Sequence, residues 1–260
     1  MNLQQVAEHL DNCALSVKTT PSLRADNPFD LEQAYSIQEM SIALREKRGE
    51  KRVGVKLGFT SQEKMKQMGV NHLIWGVITD AMQIAEGGEV DLSHYNHPRI
   101  EPEVAFITKE VIDKPLSLAE AVEKIAGICP AMEIIDSRYE KFKFTLEDVV
   151  ADNTSSAGFV LGNLVPVDTD ISNCGVNMTE NGVLVQSGST AAILGHPLRA
   201  LVQVSELLAE KGQSLPAGSI ILAGAATAAH AMTPGSYYET HIQGLGTVSV
   251  GIQVVTENTL

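Results

Sequence analysis

Arg99-Ile-Glu-Pro-Glu-Val-Ala-Phe-Ile-Thr108 is the stretch on which the reading of this chain turns. Apart from its charged start and two glutamates the run is apolar, and its pattern predicts a strand. Alternate side chains of a strand share a face, so Glu101 and Glu103 point the same way, with Cα atoms about 7 Å apart. Two like charges on a partly buried face repel, and each loses hydration. Either one carboxyl stays protonated or a cation sits between them. A third acid, Glu133, lies in a second short apolar run, Ala131-Met-Glu-Ile-Ile-Asp136. Three carboxylates without a nearby thiol favour a hard divalent ion, Mg²⁺ or Mn²⁺, over zinc. The competing reading is a half-exposed sheet with glutamates on its solvated face. Pro102 also allows an edge strand.

The segments on either side differ in texture. Leu3, Val6, Ala7, Leu10, Cys13 and Ala14 fall on one helical face. Asp30 is placed to cap a second helix with Leu31, Ala34, Tyr35, Ile37, Met40 and Leu44 on its apolar side, ending at Gly49. From Val53 onward short β-prone runs alternate with glycine turns: Val53–Phe59, Ile100–Thr108, Met132–Ile135, Phe159–Leu161, Val183–Val185, Ile220–Leu222 and Val248–Val255. Helices are expected at Leu118–Ala126, opened by Ser117, and at Leu198–Glu210, closed by Gly212. Strands and helices do not alternate strictly, so the expected class is α+β rather than a doubly wound parallel sheet. Residues 1–50 are read as a helical N-terminal part packed on a β-rich metal-binding core, 51–260, together one domain.

Composition narrows the function. The 260 residues are 44% hydrophobic and 20% charged, ordinary for a globular enzyme. A net charge of −13 argues against a nucleic-acid partner, which needs a basic surface. Cys13, Cys129 and Cys174 form no CxxC pair, which predicts idle thiols in a reducing cytoplasm. The segment Met1–His9 lacks a basic region followed by an apolar core, so no signal peptide is expected. The longest apolar stretch, around Ile220–Ala229, is too short for a membrane span. The chain has no GxSxG, no P-loop and no HExxH, and Gly244-Leu-Gly246 lacks a third glycine. His94 and His97 are too weak a pair to imply zinc, and His196 and His230 read as structural. Trp75 reads as core.

Four segments carry a family resemblance. They are Val53-Gly-Val-Lys-Leu-Gly-Phe-Thr-Ser61, Ile100-Glu-Pro-Glu-Val-Ala105, Met132-Glu-Ile-Ile-Asp-Ser-Arg138 and Val150-Ala-Asp-Asn-Thr-Ser-Ser156. In that order they resemble the hydratase/decarboxylase family of aromatic meta-cleavage pathways, within the fumarylacetoacetase-like superfamily. The likeness continues through Leu194-Gly-His-Pro197, Leu215-Pro-Ala-Gly218 and Gly244–Ser249, covering nearly the whole chain. Asp136–Phe144, Lys64–Val70 and Thr227–Ala229 lean toward the decarboxylase branch.

The resemblance implies a fumarylacetoacetase C-terminal-like mixed β core and Mg²⁺ (or Mn²⁺) held by Glu101, Glu103 and Glu133. It implies decarboxylation of a 2-oxo dicarboxylic acid, 2-oxo-3-hexenedioate, to 2-hydroxypenta-2,4-dienoate and CO₂. The sister hydratase reaction, or a non-catalytic role beside that hydratase, is the alternative. A homo-oligomer in complex with the hydratase is also implied, with no nucleic acid and no membrane. Lys56 is the catalytic candidate, as an electrophile, against an exposed strand lysine. Asp80 either orients Lys56 or relays a proton, or caps a turn. Ser155 and Ser156 either bind a substrate carboxylate or brace their loop. Arg138 either meets the distal carboxylate or forms an internal ion pair with Glu140 or Asp136.

Overall fold

The computed structural model describes residues 1–24, 26–61 and 73–254. The segment Lys64–Val70, one of those that lean toward the decarboxylase branch, lies outside them.

Helices α1 (Leu3–Ser16) and α2 (Leu31–Lys47) open the chain. Each starts with a capping box, Asn2 with Gln5 and Asp30 with Gln33, which satisfies backbone donors that a helix start leaves unpaired. Val6, Ala7 and Leu10 meet Ala34 and Ile37, and together they cover Tyr139, Val149 and Val150. Gln38 is buried, and its Nε2 donates to the carbonyls of Trp75 and Val150, at 3.0 Å each. That side chain ties the helical layer to the sheet beneath it.

The main sheet contains β1 (Arg52–Gly58), β2 (Ile74–Thr79), β5 (Arg99–Thr108), β6 (Ile125–Ile135), β7 (Ser156–Leu161) and β10 (Ile220–Ala225). Short strands β3 (Gln83–Ile84) and β11 (His230–Ala231) join it. The order is β2-β1-β10-β5-β6-β7-β3, with β11 also beside β5. β1 runs parallel to β10, whereas β5 is antiparallel to both its neighbours. A second sheet has the order β4 (Glu89–Val90), β13 (Gly246–Ile252), β12 (Tyr237–Ile242), β8 (Gly175–Glu180), β9 (Val183–Ser189).

The two faces of β5 and β6 go to different places. Ile100, Met132 and Ile134 pack on Met178, Tyr238, Val248 and Val250 of the second sheet. The residues between them, Glu101, Glu103 and Glu133, therefore face the opposite way, as the period of two requires. On β1, Val55 and Leu57 join a core with Leu201, Val204 and Leu208 of a later helix, α5 (Leu198–Glu210), which leaves Lys56 on the glutamates' side.

One alternative falls away and one expectation is corrected. β5 is a central strand, not an edge. Pro102 is accommodated because β10 bulges between its partners for Ala105 and Glu103, and β11 takes over only at Ile100. The carbonyl of Pro102 faces that gap, accepting from Ala226 N at 2.8 Å, so its missing N–H lies where no ladder donor is called for. The helix opened by Ser117, α3 (Leu118–Glu123), stops short of Ala126. Ile125 instead starts β6, paired with Thr108. A further helix, α4 (Leu146–Ala151), precedes the loop that closes the site.

Candidate active site

In the β5–β6 ladder Glu101 lies opposite Glu133. Directly opposed residues share a face, so the register delivers the third carboxylate to the first two. One carboxylate oxygen from each residue lies within 4.8 Å of the others. Glu101 is 5% exposed and Glu103 and Glu133 are fully buried. Burial pushes Glu133 up to about 7, with Lys56 opposing and Glu101 reinforcing the shift. Burial, then the charges of Glu133 and Glu101, raises Glu103 well above the carboxylate range.

Glu103 Oε2 accepts from Gly224 N at 2.8 Å. Glu103 Oε1 and Glu133 Oε1 have no hydrogen-bond partner among the described residues. Buried acceptors are rarely left so. Orphaned hard oxygens converging on one point fit a divalent ion of the Mg²⁺ type. No other three-residue cluster of metal-ligating groups occurs among the described residues. His94 is paired with Asp91, and His97 packs against the Phe142 ring at 4.6 Å.

Lys56 Nζ is 3.0 Å from Glu133 Oε2, as an ion pair rather than an aligned hydrogen bond, and donates to Thr154 O at 3.1 Å. Burial lowers the pKa of this ammonium, but Glu133, Glu101 and Glu103 outweigh it and hold it above the usual lysine value. Thr154 lies in an unusual loop. Asn153, Thr154 and Ser155 have φ of 49°, 53° and 57° in succession. Left-handed residues of this kind persist only where their surroundings fix them.

Here the Asn153 side chain accepts from Val77 N and donates to Val77 O, both at 2.8 Å, and Thr154 Oγ1 donates to Trp75 O. Gly76 permits the approach, since a Cβ there would stand 2.6 Å from Asn153 O. The preceding residue, Asp152, pairs with Arg138 in the interior. Burial pushes Asp152 up to about 6 against the pull of Arg138.

A cleft of about 440 Å³ opens over Lys56, Glu101, Thr154 and Ser155. Its walls include Phe59, Ile74, Phe142 and Phe144. Ser155 Oγ is buried with no hydrogen-bond partner among the described residues. Ser156 is also buried, but it starts β7 and its hydroxyl meets Met82 Sδ at 3.7 Å. Arg138 is not in this cleft. Its guanidinium is committed to Asp152 and to the carbonyls of Asp136 and Asp152, so the internal pairing prevails, with Asp152 rather than Glu140 or Asp136 as the carboxylate.

Asp80 is exposed in the turn after β2, where Oδ1 accepts from Lys51 N and Ala81 N at 2.8 and 3.0 Å. Lys56 lies opposite Gly76 in the β1–β2 register, so Asp80 sits four residues farther along and caps the turn. Trp75 is core, stacked on Tyr35 at 5.6 Å. Sequence reading passed over Arg99 as a site residue, yet it lines the cleft on the face of Glu101. The period of two that singled out the glutamates reaches it as well.

Residues 60–253 match the family of the fumarylacetoacetate (FAA) hydrolase C-terminal domain. The chain belongs to the fumarylacetoacetate hydrolase family. This fumarylacetoacetate hydrolase family chain is 49% identical over 249 residues to a 4-oxalocrotonate decarboxylase from a Pseudomonas species, covering 96% of this chain and 97% of that one. It is 32% identical to a 2-keto-4-pentenoate hydratase from Paraburkholderia xenovorans, covering 94% and 93%. Among solved structures, 4-oxalocrotonate decarboxylase from Pseudomonas putida G7, complexed with magnesium and adipate, superposes with a TM-score of 0.93 at 40% identity, covering 96% and 97%. The mixed β core with helices at its N-terminus is thus the architecture of this fumarylacetoacetate hydrolase family branch.

Proposed function

We infer that this chain is a metal-dependent carboxy-lyase that converts 2-oxo-3-hexenedioate (4-oxalocrotonate) to 2-hydroxypenta-2,4-dienoate and CO₂. The observation that carries this is the buried cluster Glu101, Glu103 and Glu133, with Lys56 against it and with Glu101 and Lys56 lining a cleft, in a chain nearly half identical to a 4-oxalocrotonate decarboxylase. The three glutamates would hold Mg²⁺ or Mn²⁺. When bound, that ion supplies Lewis acidity toward the 2-oxo oxygen.

The substrate's own conjugation carries the electrons. The C5–C6 bond breaks, C6 leaves as CO₂, and the pair passes through the double bond to the oxygen on C2, which then takes a proton. Lys56 sets a fixed positive charge beside the oxygen on C2, where the electron pair arrives. An ammonium has three donors; Thr154 O engages one, and Glu133 stands beside it as an ion pair. Among the described residues a donor is left for a substrate oxygen. Ser155 Oγ offers a hydrogen bond to the substrate carboxylate. The apolar walls keep water from the conjugated chain. Within this reading the chain acts in the cytoplasm, in meta-cleavage degradation of aromatic compounds. It does so as a homo-oligomer in complex with the 2-hydroxypenta-2,4-dienoate hydratase that consumes its product.

The test is CO₂ release from 2-oxo-3-hexenedioate, with Mg²⁺ and after chelation. Metal-dependent release is expected. Absence of release, with hydration of 2-hydroxypenta-2,4-dienoate in its place, would move the chain to the hydratase branch.

A further inference from the structure

We propose that Arg99 recognises the distal carboxylate of the substrate, and that its spacing from the glutamate cluster sets the length of diacid the cleft accepts. The proposal rests on the 2-oxo diacid reading above.

Arg99, Glu101 and Glu103 occupy alternate positions of β5 and so share one face. Along that face Arg99 is exposed, Glu101 is 5% exposed and Glu103 is fully buried. The face therefore runs from the mouth of the cleft to its floor, with the cation at the mouth and the metal-ligating carboxylates below. The backbone at Arg99 is fixed on both sides, by Ile135 of β6 and Ala231 of β11. Just upstream, Asp136 accepts from Asn96 N and His97 N at 2.9 and 2.8 Å, which sets the loop leading into the strand.

The side chain is held differently. Its guanidinium lies over the Phe142 ring, Cζ 4.7 Å from the centroid. Stacking of this kind orients the planar fork while leaving its edge donors open. Among the described residues no carboxylate pairs with it, although most of the other arginines have one. His97 and Lys141 beside it line an adjoining hollow that Arg99 also borders, but not the cleft.

A six-carbon diacid matches the strand spacing in length. Two residues of strand separate Arg99 from Glu101, about 7 Å between their Cα atoms. Five C–C bonds of about 1.5 Å each, in zigzag, span roughly 6 Å. With one end of the substrate at the glutamate cluster and Lys56, the other carboxylate reaches the guanidinium. A four-carbon diacid falls short, and a monoacid has nothing to offer there.

The chemistry fixes which kinetic constant responds. The distal carboxylate leaves as neutral CO₂, so its charge declines as the C5–C6 bond breaks. Arg99 therefore binds the ground state at least as well as the transition state. Its loss raises KM and leaves kcat unchanged or higher. That makes it a specificity residue.

The experiment compares dissociation constants of adipate and oxalate for the Mg²⁺-loaded wild type, Arg99→Met and Arg99→Lys, by calorimetry. Oxalate chelates the ion but is too short to reach Arg99. Arg99→Met is expected to weaken adipate about tenfold and oxalate less than twofold, with Arg99→Lys intermediate for adipate because charge is kept and the fork lost. Across succinate, glutarate, adipate and pimelate, the wild-type preference for six carbons should flatten in Arg99→Met. Equal weakening of adipate and oxalate, or no weakening of adipate, overturns the proposal. These constants need no turnover, so they are read even if the wild type releases no CO₂. That second failure would overturn the decarboxylase reading instead.

Discussion

Lys56 and Glu133 face each other as buried side chains, and Glu133 is the first of the carboxylates that keep Lys56 an ion. Removing one leaves the second as an uncompensated buried charge, at a cost of about 3–5 kcal/mol. Lys56→Met should therefore lower the stability of the metal-free protein by that order, with Mg²⁺ restoring part of it. Its kcat at saturating metal and substrate should fall roughly 100-fold or more. Chemical denaturation with and without Mg²⁺ checks the first expectation, and a wild-type kcat would return Lys56 to the scaffold.

Glu101→Gln, Glu103→Gln and Glu133→Gln should each reduce Mg²⁺-dependent turnover. Unchanged activity in all three would remove the metal assignment. At this scale, strand alternation made Glu101 and Glu103 legible, but nothing local aligned Glu133 with them. That needed the β5–β6 register. For Asp80 the β1–β2 register favours the turn-capping alternative. Asp80 is near Lys56 only if that register is left open, and the register puts Gly76 there.

Elements with local punctuation were legible and those without it were not. Asp30 and Ser117 mark helix starts through side chains that cap the backbone, and α1, α2 and α5 lie close to where apolar spacing put them. β2 escaped notice because all six of its residues are buried, so no alternation shows. β12 alternates cleanly in burial, but its inward positions include Tyr238 and Thr240, whose polar atoms disguise the pattern. The three left-handed residues of the Asn153–Ser155 loop carry no glycine to announce them.

Two predictions belong to this scale. Asp30→Ala removes the cap of α2 and should cost about 1 kcal/mol in a denaturant titration, with activity retained. Gly224→Ala should cost more. Gly224 has φ of +105°, and an added Cβ would stand 2.2 Å from Thr60 Oγ1. The same residue donates to Glu103, so Mg²⁺ affinity should weaken along with stability. A variant that loses stability but binds Mg²⁺ as the wild type does would separate Gly224 from the metal site.

Across the whole molecule the site couples folding to pH and metal. Glu133 in the folded, metal-free protein titrates at about 7, above an unfolded glutamate at about 4.3. A raised carboxyl favours the folded state while protonated. Its contribution is therefore complete below about pH 4.3 and is lost as pH climbs through 7. Glu103 is shifted in the same direction. Bound Mg²⁺ needs both ionised, so the rise in Tm caused by Mg²⁺ should be larger at pH 8 than at pH 5.5. Equal shifts at the two pH values would contradict the titration assigned to the cluster.

Among the described residues three carboxylates stand beside one ammonium, and with all four ionised they sum to two negative charges. A divalent cation cancels that sum, and so do two protons. The interior thus stays close to electroneutral by exchanging one for the other, and loading with Mg²⁺ becomes a proton-releasing reaction. Protons should appear in the buffer in step with metal uptake, and calorimetry in buffers of different ionisation enthalpy would count them. A trivalent lanthanide in the same place would leave one positive charge uncancelled. By charge balance, the divalent state is the one this interior is built to hold.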